Sequence, residues 1–213
     1  AKLMQNRQTN QLFNFDNVSL LQWSHQHPFI KYWFGITYDA LMPELLLIPL
    51  LIGLLRLRQS CRIYLMSAII GYIFIQAIYY LFPTLAPASI FHSSLFLKDQ
   101  YECQIKFNLI HHYQPLNNHN NATCFIAFPS PHVFCACITW YAVKNKWWLW
   151  LPIGIINVSM IAATMYLGFH YLADVLGGIT VATISIYIAH RIDRWCLKDQ
   201  NTREQLLAKA PAH

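Results

Sequence analysis

The stretch Thr164-Met165-Tyr166-Leu167-Gly168-Phe169-His170-Tyr171-Leu172-Ala173-Asp174 joins two long apolar runs, Trp147 to Leu167 and Tyr171 to Ala189. It sets a histidine and an acid in the short turn between them. Runs of about 20 apolar residues match the hydrocarbon thickness of a bilayer, and Trp33 to Leu55 and Ile63 to Phe82 match it too. His132 to Val143 is a shorter run of 12 residues, about 18 Å of helix. To span, it must begin below the membrane surface or continue through Lys144 and Lys146.

The chain is 56% hydrophobic and 11% charged, where a soluble domain carries about 25% charged residues. The expectation is an all-α, polytopic transmembrane helix bundle with about five spans. Residues 1–32 read as an interfacial N-terminal segment, with Phe13, Phe15, Leu20, Leu21 and Trp23 available to the membrane surface. Residues 33–190 read as the transmembrane catalytic domain, interrupted by a long loop at 84–130, and 191–213 as a basic tail. The chain opens with Ala, which leaves a signal peptide or a sixth span upstream open. The basic residues lie beside spans instead of forming one long basic face, which excludes a nucleic-acid module.

Arg56, Arg58 and Arg62, then Lys144 and Lys146, then Arg191, Arg194, Lys198, Arg203 and Lys209 fall on one side of the bundle. The long loop holds only Lys98 and Lys106, and the Gly168 turn holds no basic residue but His170. The positive-inside rule puts these two segments on the non-cytoplasmic face. The expected setting is a bacterial inner membrane or a eukaryotic endomembrane, with the chemistry on the periplasmic or lumenal side. Cys103 and Cys124 share the loop, where a disulfide is expected to persist.

A second cluster, Phe128-Pro-Ser-Pro-His132, opens the short apolar run 38 residues before His170. That separation suits one helix down, a basic turn, and one helix back, so both clusters reach the same face. Ser130 followed by Pro131 is a helix start: serine accepts a bond from a first-turn amide, and proline is tolerated at the first helical position. His132 then lies at a helix N-terminus, which favours anions. Asp174 follows His170 by four residues, so a carboxylate can hold one ring nitrogen while the other faces a substrate. Asp39 and Glu44 are further intramembrane acids, for which function is the default reading. They suit either a head-group or acceptor pocket or water-facing helix ends.

Phe-Pro-Ser-Pro-His132 and Tyr-Leu-Gly-Phe-His170-Tyr-Leu-Ala-Asp174 resemble the second and third signature motifs of the type 2 phosphatidic acid phosphatase superfamily. The resemblance implies that His170 is a nucleophile on phosphorus, Asp174 supports it, and His132 protonates the departing oxygen, through a phosphohistidine. It implies phosphate-binding roles for Ser130, Pro131 and Thr164, and needs no metal or cofactor. His111, His112 and His119 in the long loop offer adventitious metal ligands only.

The departures are specific. Thr164 stands where the family pattern has Arg, Ala163 where it has Ser, and Pro131 where it has Gly. The cationic first motif gives way to Phe82-Pro-Thr-Leu-Ala-Pro87. These features are more similar to the inositol phosphorylceramide synthase-like branch, which transfers a phospho-head group from a phosphodiester lipid to a hydroxyl. Two activities therefore stand together: transfer to a lipid or polyol hydroxyl, and hydrolysis of a lipid phosphate. A catalytically silent lipid-binding protein or scaffold of the same fold is the alternative, and a transporter or haem protein would require histidines at mid-span.

Overall fold

The computed structural model describes residues 16–82, 84, 87 and 127–209. Most of the 84–130 loop, with Cys103, Cys124 and the three loop histidines, lies outside the described residues. The described elements are seven helices: α1 Asn17–Gln26, α2 Pro28–Asp39, α3 Leu41–Leu54, α4 Arg58–Leu81, α5 Pro131–Ala142, α6 Trp147–Tyr166 and α7 Leu172–Lys209. Among the described residues three helical segments are long and apolar enough to cross a bilayer, Arg58–Leu81, Trp147–Tyr166 and Leu172–Lys198, and the bent pair Pro28–Asp39 and Leu41–Leu54 makes a fourth if it is one span. Outward side chains on α3, α4 and α6 are large and apolar, with Leu46, Leu50, Ile69, Ile73 and Ile155 all more than half exposed. Such a surface suits lipid and not water.

The run expected as one span from Trp33 is two helices, α2 starting earlier at Pro28 and α3, meeting at 46° around Ala40. Pro43 gives the reason. Its nitrogen cannot donate to the carbonyl of Asp39, and its ring crowds that carbonyl, so the helix cannot run through. The bend leaves Asp39 exposed and turns Glu44 inward, where it accepts a 2.6 Å bond from Asn157 Nδ2. Asn157 is 1% exposed and also approaches Thr139 Oγ1 at 3.4 Å. An acid, an amide and a hydroxyl thus tie α3, α5 and α6 together within the apolar layer.

The short helix α5 stops at Ala142 and does not continue through Lys144. It is packed by α3, α4, α6 and α7, and Val133, Phe134, Cys135, Ala136, Ile138, Thr139 and Ala142 are buried. A helix apolar on all sides belongs inside a bundle; encasement removes the need to match the full bilayer thickness. Close approach to α4 depends on Gly71, where a Cβ would lie 2.1 Å from the Phe134 ring. Arg62 on α4 pairs with Asp193 on α7 at 2.6 Å, which joins two of the basic segments at the end of the bundle away from His132.

Candidate active site

Four local structures converge on one end of the bundle: the start of α5, the turn between α6 and α7, the start of α7 and the end of α2.

Ser130 is the N-cap of α5, with Oγ accepting from Val133 N at 3.3 Å and Pro131 in the first turn. Phe134 N donates to Ser130 O. Pro131 has no N–H, which leaves the amide of His132 as the first-turn donor without a partner among the described residues. The cap is seated on α7: Ser130 N donates to the carbonyl of Asp174 at 3.0 Å. That seating requires Gly177 and Gly178. A Cβ at Gly178 would lie 2.7 Å from Ser130 O, and one at Gly177 would lie 2.6 Å from the Phe128 ring. On the other side, Phe128 N donates to Thr84 Oγ1 at 2.8 Å, so Thr84 anchors the segment leading into α5. The Phe128–Pro129 peptide is cis.

Helix α6 ends in a Schellman motif. Gly168 adopts φ 79°, its amide donates to Met165 O, and Phe169 N donates to Thr164 O. Thr164 O accepts from His170 N as well, at 2.9 Å. The Thr164 hydroxyl donates to Ile161 O at 2.7 Å and the residue is fully buried. Thr164 therefore shapes the His170 turn through its carbonyl, and its hydroxyl is spent within its own helix.

His170 precedes α7 instead of sharing a helical face with Asp174. Asp174 sits in the first turn, and its Oδ2 accepts from Tyr171 N at 2.8 Å, the returning half of a capping box. The same oxygen lies 3.4 Å from His170 Nδ1. His170 Nδ1 is also 3.1 Å from the carbonyl of Ala127. A carbonyl only accepts, so Nδ1 carries the proton and the lone pair is on Nε2. Both residues are buried, Asp174 completely. An acid this deep is tolerable only when paired.

The rings of His132 and His170 have centroids 6.1 Å apart at 55°. Tyr38, at the end of α2, stacks on His132 at 4.9 Å and on Phe169 at 4.4 Å. It forms an aromatic wall that braces the first histidine against the turn carrying the second. No sequence motif announces Tyr38 or Gly178, and Thr84 stands out only as part of the Phe82-to-Pro87 segment; all three matter through tertiary contact. The six residues singled out in the sequence, Ser130, Pro131, His132, Thr164, His170 and Asp174, come together here. Among the described residues no group of three or more His, Cys, Asp or Glu could hold a metal ion. The arrangement can present an imidazole lone pair to an electrophile beside a second imidazole and a helix N-terminus.

A family model described as the PAP2 superfamily matches residues 7–188. No curated protein and no solved structure matches the chain.

Proposed function

This chain belongs to the PAP2 superfamily, a family of phosphatase-type lipid enzymes, and on that premise we propose that it transfers a phospho-head group from a phosphodiester lipid to a hydroxyl acceptor through a phosphohistidine at His170. The observation that carries the reading is the setting of His170 Nδ1 between the Ala127 carbonyl and the Asp174 carboxylate, from which its tautomer is inferred. Its Nδ1–H is held by Ala127 O at 3.1 Å and lies 3.4 Å from Asp174, which leaves Nε2 as the nucleophilic nitrogen.

In the first step Nε2 attacks phosphorus and the P–O bond to the departing group breaks. The leaving oxygen takes a proton from His132. The His170 ring then carries a positive charge, which the buried Asp174 carboxylate offsets without accepting the proton. In the second step neutral His132 removes the proton of the acceptor hydroxyl, the acceptor oxygen bonds to phosphorus, and the P–N bond breaks, returning the lone pair to Nε2. The amide of His132 is available to a phosphoryl oxygen.

Transfer is favoured over monoester hydrolysis by Thr164. Where the family pattern has an arginine, this chain has a buried threonine whose hydroxyl is bonded to Ile161. A monoester dianion loses a charge-assisted contact of about 1.5–3 kcal/mol there, whereas a diester carries one negative charge. The two clusters lie at the end of the bundle opposite Arg62 and Lys144, which supports a non-cytoplasmic active site.

Purified protein in detergent, offered either phosphatidic acid alone or a phosphoinositide with an acceptor alcohol, distinguishes the activities. New lipid that forms only with acceptor present, with little free phosphate, is the expected result. Phosphate released from phosphatidic acid alone would make the protein a hydrolase, and no product in any arm would favour a silent descendant.

A further inference from the structure

At the end of the bundle away from the histidines, helices α4, α5 and α7 border a small pocket open to the surroundings, its inner part about 20 Å³ and so about the size of one water molecule. Its wall includes Gln59 and Ser60 from α4, Tyr141 and Lys144 from the end of α5 and the turn after it, and His190 from α7. We propose that this cavity is a binding site for the phosphate of an anionic phospholipid from the adjacent leaflet, separate from the catalytic centre.

The side chains at its mouth are already organised. Tyr141 Oη lies 2.6 Å from His190 Nε2 and accepts a hydrogen bond from the ammonium of Lys144. That ammonium stands 3.8 Å from the centroid of the Tyr141 ring. A hydroxyl that accepts from Lys144 has its own proton for His190, so the three groups form one chain that holds the lysine at the opening. Lys144 itself is exposed, and its other two ammonium protons are available to an anion.

The surroundings are of one sign. Segments 56–62, 144–146 and 190–194 carry seven Lys and Arg residues and a single acid, Asp193, and that acid is buried and paired with Arg62 at 2.6 Å. A basic pocket between transmembrane helices on the Lys- and Arg-rich side is what an anionic head group recognises.

Depth selects a lipid over a soluble anion. Trp147, Trp148 and Trp150 directly follow the Lys144 turn, and Trp195 lies just past His190 on α7; all four are exposed. Tryptophans gather at the membrane–water interface, so the cavity opens at head-group level, between helices whose outer faces are apolar. A diacyl lipid can place its phosphate beside Lys144 with its chains along those helices.

Native mass spectrometry of the detergent-solubilised protein tests this, with phosphatidylglycerol and phosphatidylcholine as probes, on wild type, Lys144→Gln and Arg191→Gln. All three keep His132 and His170, so occupancy of the catalytic centre is common to them. The expected result is one phosphatidylglycerol retained in preference to phosphatidylcholine by wild type and Arg191→Gln, and bound about tenfold more weakly by Lys144→Gln. Thermal unfolding of the lipid-free Lys144→Gln protein at the wild-type temperature shows that the loss is one of binding. Equal retention by Lys144→Gln, an equal loss in Arg191→Gln, or no preference for phosphatidylglycerol would overturn the site. Complete displacement of the lipid by millimolar inorganic phosphate would overturn the lipid as its occupant.

Discussion

His132 and His170 are 38 positions apart in the chain, yet their ring centroids lie 6.1 Å apart, with the ring planes tilted by 55°. The central helix α5 carries one histidine at its start, α6 returns to the same end, and a Schellman turn at Gly168 delivers the other. Capping interactions at the ends of buried helices therefore set the separation between the two imidazoles.

Asp174 both caps the amide of Tyr171 and flanks His170 Nδ1. Asp174→Asn keeps an acceptor for both donors and removes the charge. The variant is expected to unfold near the wild-type temperature while turnover falls about 10²–10⁴-fold. Thermal unfolding and steady-state kinetics on one preparation check the pair of outcomes.

The seating of Ser130 on α7 predicts a steric effect at Gly178. An added methyl group there would meet the Ser130 carbonyl at 2.7 Å and Val133 Cβ at 2.9 Å, so Gly178→Ala is expected to cost about 1–3 kcal/mol and to lower activity by displacing the cap. Gly53, also helical, has nothing within 4 Å of its Cβ position. Gly53→Ala is the control and should be neutral or slightly stabilising.

Tyr38 touches His132 through its ring face. Tyr38→Phe keeps the stack and is expected to keep activity, whereas Tyr38→Ala loses about 0.5–1.5 kcal/mol of ring–ring interaction, a factor of about 2–12. Comparison of kcat for the two variants reads this directly. An equal loss in both would shift the role from the ring to the hydroxyl.

Glu44 and Asn157 are coupled at 2.6 Å within the apolar layer. Glu44→Ala leaves a buried amide without its acceptor, at about 1–3 kcal/mol. The pair Glu44→Leu with Asn157→Leu removes both partners and should recover most of that stability. A double-mutant cycle on thermal unfolding in detergent measures the coupling.

The parts of this arrangement that depend on local chemistry are legible in the sequence. Ser130-Pro131 reads as a helix start because the capping hydroxyl and the missing N–H act within one turn, and the two clusters converge because a basic turn sits midway between them. The break at Ala40 follows from Pro43, but hydropathy alone runs Trp33 to Leu55 together as one span. Tyr38 against His132, Thr84 under Phe128 and Gly178 beneath Ser130 join residues 44 to 94 positions apart, and no periodicity encodes them. His170 and Asp174 illustrate a middle case: the spacing of four is visible, while the contact arises from a capped turn and not from a helical face.

Phosphorus is expected to bond to His170 Nε2 during turnover. Rapid quenching of the protein with a phosphoinositide donor, followed by peptide mass spectrometry across residues 164–175, tests it most directly. A phospho-head-group adduct on His170 is expected in the wild type and in His132→Gln, where release of the leaving group is slowed about 10²–10⁴-fold, and none in His170→Asn. Turnover at the wild-type rate by His170→Asn, or an adduct on any other residue, would contradict it.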